Sequence, residues 1–129
     1  IVELLRGRIP VAYNAGFDRS FIYAEMRRAG ITPTRTRESP PAMRVGVDWV
    51  DPLVWARSLQ TGVKGFKLGE VAARVGVDLT NAHRATDDAE AAGRVLFALL
   101  VNERELTYRG LVSRQRGYAS GAAGRTWRR

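Results

Sequence analysis

The nine residues Tyr13-Asn-Ala-Gly-Phe-Asp-Arg-Ser-Phe21 join a short apolar segment to an amphipathic one. The segment before them, Ile9 to Tyr13, is apolar with a proline near its start, which is typical of a short buried strand. From Phe17 to Arg28 the apolar residues recur at helical spacing, and Gly30 is a good residue to end a helix. Asp18 is therefore predicted in the first turn of a helix, just past a strand. A carboxylate at that position most often compensates the helix dipole.

A second stretch, His83-Arg-Ala-Thr-Asp-Asp-Ala89, contains the single histidine of the chain. Asp88 precedes Ala92, Val95 and Leu99 at intervals that place all four residues on one helix face. That face is apolar, so the carboxylate of Asp88 is expected on the buried side of the helix. Burying a carboxylate is costly unless a cation neutralises it.

The rest of the chain supplies further helices. Asp51-Pro52 is an N-cap followed by proline, a pattern that opens a helix, and glycines end several others. The predicted helices cover residues 1–6, 51–59, 67–75 and 86–104, with Thr86 as the cap of the last one. The Pro-, Thr- and Arg-rich residues 31–44 are predicted as an exposed loop.

Two carboxylates, one after a strand and one on a core-facing helix, could converge on a pair of divalent cations. Mg²⁺ and Mn²⁺ prefer oxygen ligands and keep several waters, so a few carboxylates and substrate phosphates suffice. Two such ions about 4 Å apart stabilise both the attacking and the leaving oxygen of a phosphodiester. A histidine at the rim, with an ordinary pKa of about 6.5, can accept the proton of the attacking water.

Both stretches resemble motifs of the DEDD superfamily of 3′–5′ exonucleases. Residues 13–21 resemble its second motif, His-Asn-Ala-x-Phe-Asp-x-x-Phe, and residues 83–89 resemble the third motif of the histidine-bearing DEDDh branch, His-x-Ala-x-x-Asp-Ala. The segments 49–57 and 67–76 look like the connecting helices of that family. In order and spacing the motifs are similar to those of the proofreading epsilon subunit of bacterial DNA polymerase III and its relatives.

The resemblance implies a role for each matching residue. Asp18 and Asp88 match metal-binding carboxylates, and His83 matches the general base, so all three are candidate catalytic residues. Asn14 matches a position that fixes the strand-to-helix turn or approaches substrate, and Phe17 matches one that packs in the core or contacts substrate. Asp87 falls on a position that the family does not use as a ligand and is interpreted as an exposed charge at the helix start.

The fold implied by the resemblance is α/β, an RNase H-like exonuclease fold with a mixed central sheet flanked by helices. Two departures from the family pattern stand out. Tyr13 replaces the histidine of the second motif, and no Asp-x-Glu first motif precedes Asp18, where Glu3 is the only acidic residue. We therefore expect the first strands of the sheet, and two of the four metal carboxylates, to be absent from the chain. As it stands the chain is expected to be inactive, with an exposed sheet edge.

Composition and charge bound the remaining possibilities. Without cysteine, any metal must be held by oxygen or nitrogen, and a cytoplasmic location is compatible with that absence. No apolar stretch is long enough to cross a bilayer, so no membrane partner is expected. The net charge is +8, and the residues from Val101 onward contribute seven arginines against two glutamates. We interpret residues 1–104 as a partial exonuclease domain and 105–129 as a basic, flexible tail with little fixed structure from Arg109 onward.

The basic balance favours nucleic acid as a partner. The resemblance implies DNA more than RNA, with DNA polymerase subunits as a further possibility. The leading hypothesis is a metal-dependent 3′–5′ exonuclease that uses Mg²⁺ or Mn²⁺. The alternative is a non-catalytic module that binds nucleic acid or polymerase subunits and has kept the fold while losing the chemistry.

Overall fold

Six α-helices and one short 3₁₀ helix follow one another along the described part of the chain. The computed structural model describes residues 2–79, 84–103 and 106–121. The helices are α1 (Val2–Leu5), α2 (Ala15–Arg28), α3 (Pro52–Leu59), α4 (Leu68–Arg74), α5 (Ala85–Leu99) and α6 (Tyr108–Ala119), and the 3₁₀ helix covers Pro41–Met43 between α2 and α3. None of these helices is long and apolar enough to cross a membrane.

Helices α3, α4 and α5 pack on one another, and each lies where the sequence predicted a helix. Asp51 caps α3 by accepting a hydrogen bond from the backbone N–H of Leu53, and Pro52 occupies the first helical position. Gly76, with a φ of +76°, follows the C-cap residue Val75 of α4, where a left-handed residue closes the last turn. Helix α5 begins after Arg84, which makes no side-chain cap, and ends at Leu99. The predictions of a Thr86 cap and of helix through Arg104 are therefore wrong.

Two apolar clusters hold the helices together. The first cluster consists of Val50, Trp55, Leu96, Leu100 and Val112. At its centre, Trp55 of α3 is fully buried against residues of α5 and α6. The second joins α3, α4 and α5 and consists of Ala56, Val71, Ala72 and Val95. Helix α5 contributes to both clusters, which explains the apolar face that its sequence shows.

The described residues contain no β-strand, only two isolated parallel bridges, between Val11 and Val50 and between Thr34 and Arg44. At the first, the N–H of Ala12 donates to the carbonyl of Val50, and the N–H of Val50 donates to that of Pro10. Ile9 is 50% and Val11 38% exposed, so the predicted buried strand is wrong here. A single bridge has no further strands against which to bury its side chains. The central sheet implied by the resemblance is consequently not seen in residues 2–79, 84–103 and 106–121.

Helix α6 corrects the expectation of little fixed structure after Arg109. Thr107 caps it by accepting from the N–H of Gly110, and Val112 is buried against Trp55. The ring of Tyr118 meets that of Trp55 edge to face, with centroids 5.1 Å apart. Apolar positions at helical spacing thus outweigh the glycine- and arginine-rich composition as far as Ala119.

Candidate functional site

Helices α2 and α5 enclose an open cleft of about 520 Å³. Asp18 lines it from α2 and Asp88 lines it from α5, together with the apolar side chains of Val11, Phe21, Ile22, Trp49, Leu68 and Ala92. The two carboxylates singled out by the sequence motifs therefore face the same space, although they lie far apart in the chain.

The two carboxylates differ in their surroundings. Asp18 is exposed in the first turn of α2, and Asp88 is half-buried in the first turn of α5, ahead of the buried Ala92 and Val95. The Oδ1 atom of Asp88 is shielded from solvent and has no hydrogen-bond partner among the described residues. A shielded carboxylate oxygen without a partner is costly, and a cation is the ligand that relieves that cost.

These donors suit a divalent cation, since Mg²⁺ and Mn²⁺ are held by carboxylate oxygens. Within residues 2–79, 84–103 and 106–121, no three His, Cys, Asp or Glu side chains come together in a metal-binding group. Asp18 and Asp88 thus supply two oxygen donors to the cleft. His83, the predicted general base, lies outside the described residues.

Asn14 stands at the entry to α2 with φ 62° and ψ 55°, the only non-glycine residue with positive φ in the described part of the chain. Asparagine tolerates this left-handed conformation better than most residues, which lets the chain turn abruptly into the helix. Its side chain makes no cap to α2.

Phe17 is 74% exposed on α2, and Phe21, one turn later, is 61% exposed. The expectation that Phe17 packs in the core is therefore wrong for the described structure. The face of α2 that packs inward carries Ala15 and Met26 instead. No described part of the chain covers Phe17 and Phe21.

Asp87 also differs from its interpretation as an exposed charge. It is half-buried, and its Oδ2 atom is shielded without a hydrogen-bond partner in the described structure. It lines a small separate depression with Asp78, Glu90 and Arg94, on the other side of α5 from the cleft residue Asp88.

Asp51 is the residue near the cleft whose second role the sequence pattern did not reveal. Its Oδ1 accepts from the N–H groups of Asn14 and Leu53, both at 2.9 Å, and its Oδ2 accepts from that of Ala15 at 2.8 Å. One carboxylate therefore caps α3 and, across the fold, α2. Burial raises the pKa of Asp51, while the three backbone hydrogen bonds and the charge of Arg57 oppose that rise. The sequence showed only that Asp51 could cap α3; that the first amides of α2 also need an acceptor, since the side chain of Asn14 does not cap them, appears only in the structure.

Tyr13 lines the cleft, and one hydrogen bond of its side chain connects two of the segments around it. Its hydroxyl donates a hydrogen bond to the carbonyl of Phe66, in the segment that leads into α4. Burial is the main cause that raises the pKa of Tyr13 to about 12. The residue that replaces the motif histidine thus remains neutral and ties the start of α2 to α4.

The chain is similar to a segment of several proteins named "DNA polymerase III PolC-type". It is 30% identical over 105 residues to "DNA polymerase III PolC-type" of Caldanaerobacter subterraneus subsp. tengcongensis, covering 81% of this chain and 7% of that protein. It is 37% identical over 103 residues to the protein of the same name from Streptococcus suis, covering 80% of this chain and 6% of that one. For the Lactococcus lactis protein the identity is 37% over 98 residues, with coverages of 76% and 5%.

The chain therefore corresponds to a small part of these relatives, and about four fifths of it are related to them. No family model matches the chain. No solved structure matches it either.

Proposed function

Starting from this relationship to DNA polymerase III PolC-type, we propose that the chain is part of a metal-dependent 3′–5′ exonuclease of the DEDDh type. The observation that carries the proposal is the convergence of Asp18 and Asp88 on one cleft, with a shielded, unpartnered oxygen on Asp88. Both positions match the metal carboxylates of the motifs, and the relatives are named as DNA polymerases, which favours DNA over RNA as substrate. Polymerase subunits as partners and a cytoplasmic location belong to the same proposal.

The residues of this chain would divide the work by position. Asp18, in the first turn of α2, and Asp88, in the first turn of α5, would hold Mg²⁺ or Mn²⁺ from opposite walls of the cleft. His83, five residues before Asp88, would accept the proton of the attacking water, as in the motif that it matches. When bound, the metal would neutralise the negative charge that develops on the phosphodiester during hydrolysis.

Neighbouring residues would keep these groups in place. The double cap by Asp51 fixes the start of α2, on which Asp18 lies, relative to α3. The hydrogen bond of Tyr13 to Phe66 fixes the same turn relative to α4. Since catalytic geometry must be held closely, these contacts are what would make an exposed Asp18 useful.

The test uses this chain preceded by a strand that bears the Asp-x-Glu motif, with single-stranded DNA labelled at its 5′ end and Mn²⁺. We expect stepwise shortening from the 3′ end, which Asp18→Asn and Asp88→Asn each abolish. Asp78→Asn, an exposed carboxylate outside the cleft, is the matched control and should retain activity. Full activity in either cleft variant would overturn the assignment.

The same experiment separates the alternative, a module that binds nucleic acid without hydrolysing it. That function predicts retention of the labelled DNA on the protein with no shortening in the presence of Mn²⁺. Shortening that a 3′-phosphate does not block would instead indicate a nuclease of another type.

A further inference from the structure

Residues 34–46, here named the arginine loop, connect α2 to the segment before α3 and close on themselves. Thr34 and Arg44 form a parallel bridge, and the N–H of Val45 donates to the carbonyl of Thr34 at 2.9 Å. Inside the loop, the hydroxyl of Thr34 lies 3.2 Å from that of Thr36 and 2.7 Å from that of Ser39. The loop therefore has a defined shape although most of it is exposed.

Two guanidinium groups maintain that shape by binding backbone carbonyls. Arg44 donates from Nε and Nη2 to the carbonyl of Ser39, at 3.1 and 2.6 Å. Arg6, from the end of the α1 segment, donates from Nη1 to the carbonyl of Glu38 at 3.0 Å. The backbone carbonyls of the loop thus accept hydrogen bonds from two positively charged side chains.

The loop carries three arginines against one acidic residue, Glu38. Arg6 pairs with Glu3 at 2.9 Å, whereas Arg35 and Arg37 are exposed and have no ion pair among the described residues. Helix α6 presents the opposite situation, since Arg114 pairs with Glu103 and Arg116 pairs with Asp48. Arg114 and Arg116 are therefore engaged within the protein, whereas Arg35 and Arg37 of the loop are available to a partner.

We propose that the arginine loop binds the phosphate backbone of single-stranded nucleic acid, through Arg35 and Arg37. Guanidinium groups form bidentate, charge-assisted hydrogen bonds with phosphate oxygens, and threonine and serine hydroxyls commonly contact the same oxygens. The loop carries both kinds of donor within residues 34–39. This inference deepens the proposed function and rests on its substrate class, but it requires no hydrolysis.

The experiment measures binding of the 129-residue chain to labelled oligothymidylate of roughly 20 nucleotides, with EDTA present, over a series of salt concentrations. Each phosphate contact contributes about 0.7 to the slope of log affinity against log salt for a single strand. The Arg35→Gln, Arg37→Gln double variant should therefore bind several-fold more weakly at low salt, with a slope shallower by about 1.4. The Arg35→Lys, Arg37→Lys pair keeps the charge and should retain most of the slope.

A matched control removes the same charge elsewhere. Arg27→Gln with Arg109→Gln changes two exposed arginines of α2 and α6 that, like Arg35 and Arg37, have no ion pair among the described residues, and should leave the slope close to that of the unmodified chain. An equal loss in both double variants would overturn the proposal, because it would mean that only net charge matters. An unchanged slope in the loop variant, or tighter binding to polyglutamate than to the oligonucleotide at the same salt, would also overturn it.

Two measurements keep the result interpretable. The melting temperature of the loop variant should match that of the unmodified chain, because neither side chain has an ion pair in the described structure. If it does not, Arg37→Gln alone should still reduce the slope by about 0.7. Because EDTA suppresses metal-dependent cleavage, binding measured in its presence tests the arginine loop alone. Absence of hydrolysis counts against the exonuclease proposal only when it is observed in the separate assay with Mn²⁺.

Discussion

The carboxylate of Asp51 accepts a hydrogen bond of 2.8 Å from the backbone N–H of Ala15, across 36 positions of the chain. The same side chain, 8% exposed, also accepts from the amides of Asn14 and Leu53. The N-termini of two helices, α2 and α3, therefore share one acceptor side chain. The amides at a helix start have no partner within the helix, so a single carboxylate, that of Asp51, takes the place of two separate capping side chains.

Replacing Asp51 with alanine removes all three of these acceptor contacts. Loss of one cap costs about 1 kcal/mol, and a buried amide left without a partner costs about 1–3 kcal/mol. We expect the free energy of unfolding to fall by about 2–4 kcal/mol, measured by urea denaturation. Asp51→Asn keeps one oxygen and should lose about half as much. A loss below about 0.5 kcal/mol for the alanine variant would contradict the double cap.

The stability contributed by Asp51 should depend on pH in one direction. Burial raises the pKa of the folded Asp51 above its ordinary value of 3.8. Between those two values the folded chain holds more protons than the unfolded chain, so the free energy of unfolding falls as pH rises. The contribution is fully present below the unfolded pKa and is lost as pH passes the folded one. The free energy of unfolding of the unmodified chain minus that of the Asp51→Asn variant, measured from about pH 3 to pH 7, should show this fall. A difference that rises with pH would refute it.

Gln115 holds α6 against the rest of the fold through three hydrogen bonds. Its Oε1 accepts from the N–H of Asp51 at 2.8 Å and from Nε1 of Trp55 at 3.2 Å, and its Nε2 donates to the carbonyl of Trp49 at 2.8 Å. Gln115→Ala leaves these groups unpaired and should cost about 2–3 kcal/mol, with faster amide exchange confined to α6.

The control for that prediction is Gln115→Glu. Glutamate keeps both acceptor contacts but, when ionised, sets a charged oxygen against the carbonyl of Trp49, so its cost should be large at neutral pH and smaller at low pH, where the protonated carboxyl can donate to that carbonyl. Amide exchange that accelerates equally in α4 and α6 would show that Gln115 does not act locally.

A divalent cation bound between Asp18 and Asp88 should raise the melting temperature of the chain. A ligand that binds only the folded state at 100 times its dissociation constant stabilises it by about 2.7 kcal/mol. We expect Mn²⁺ to raise the melting temperature of the unmodified chain and to have no effect on Asp18→Asn or Asp88→Asn. Asp87→Asn, on the other side of α5, is the matched control. An equal Mn²⁺ effect in all three variants would place the cation elsewhere.

Local sequence signals predicted the helices α2, α3 and α4 because each has its own start and stop residues. Asp51-Pro52 opens α3, and Gly30 and Gly76 follow the ends of α2 and α4. Helix α6 was missed because its glycine- and arginine-rich composition was weighed above its local signals, the Thr107 cap and the apolar positions at helical spacing. Its contacts with Trp55, about sixty positions earlier, are the part that leaves no local pattern.

The sequence predicted one wall of the cleft from a local pattern, and missed the contacts that depend on distant segments. The apolar face after Asp88 indicated that this residue would be shielded, and its Oδ1 is. The predicted strand at Ile9–Tyr13 needed partner strands that the described residues do not contain, so only the bridge of Val11 with Val50 forms. The acceptor role of Asp51 towards Ala15 could not be read from either segment alone, because it depends on how two helices approach each other.

That bridge has a consequence for how the protein behaves in concentrated solution. It engages the amides and carbonyls on one side of residues 10–12, while the backbone of Val11 faces away from it, flanked by the exposed side chains of Ile9 and Val11. An apolar backbone edge of this kind is a template for pairing with another chain. Self-association should therefore begin at this edge, and a lysine at position 9, which does not line the cleft, would make the protein more soluble without touching the cleft carboxylates.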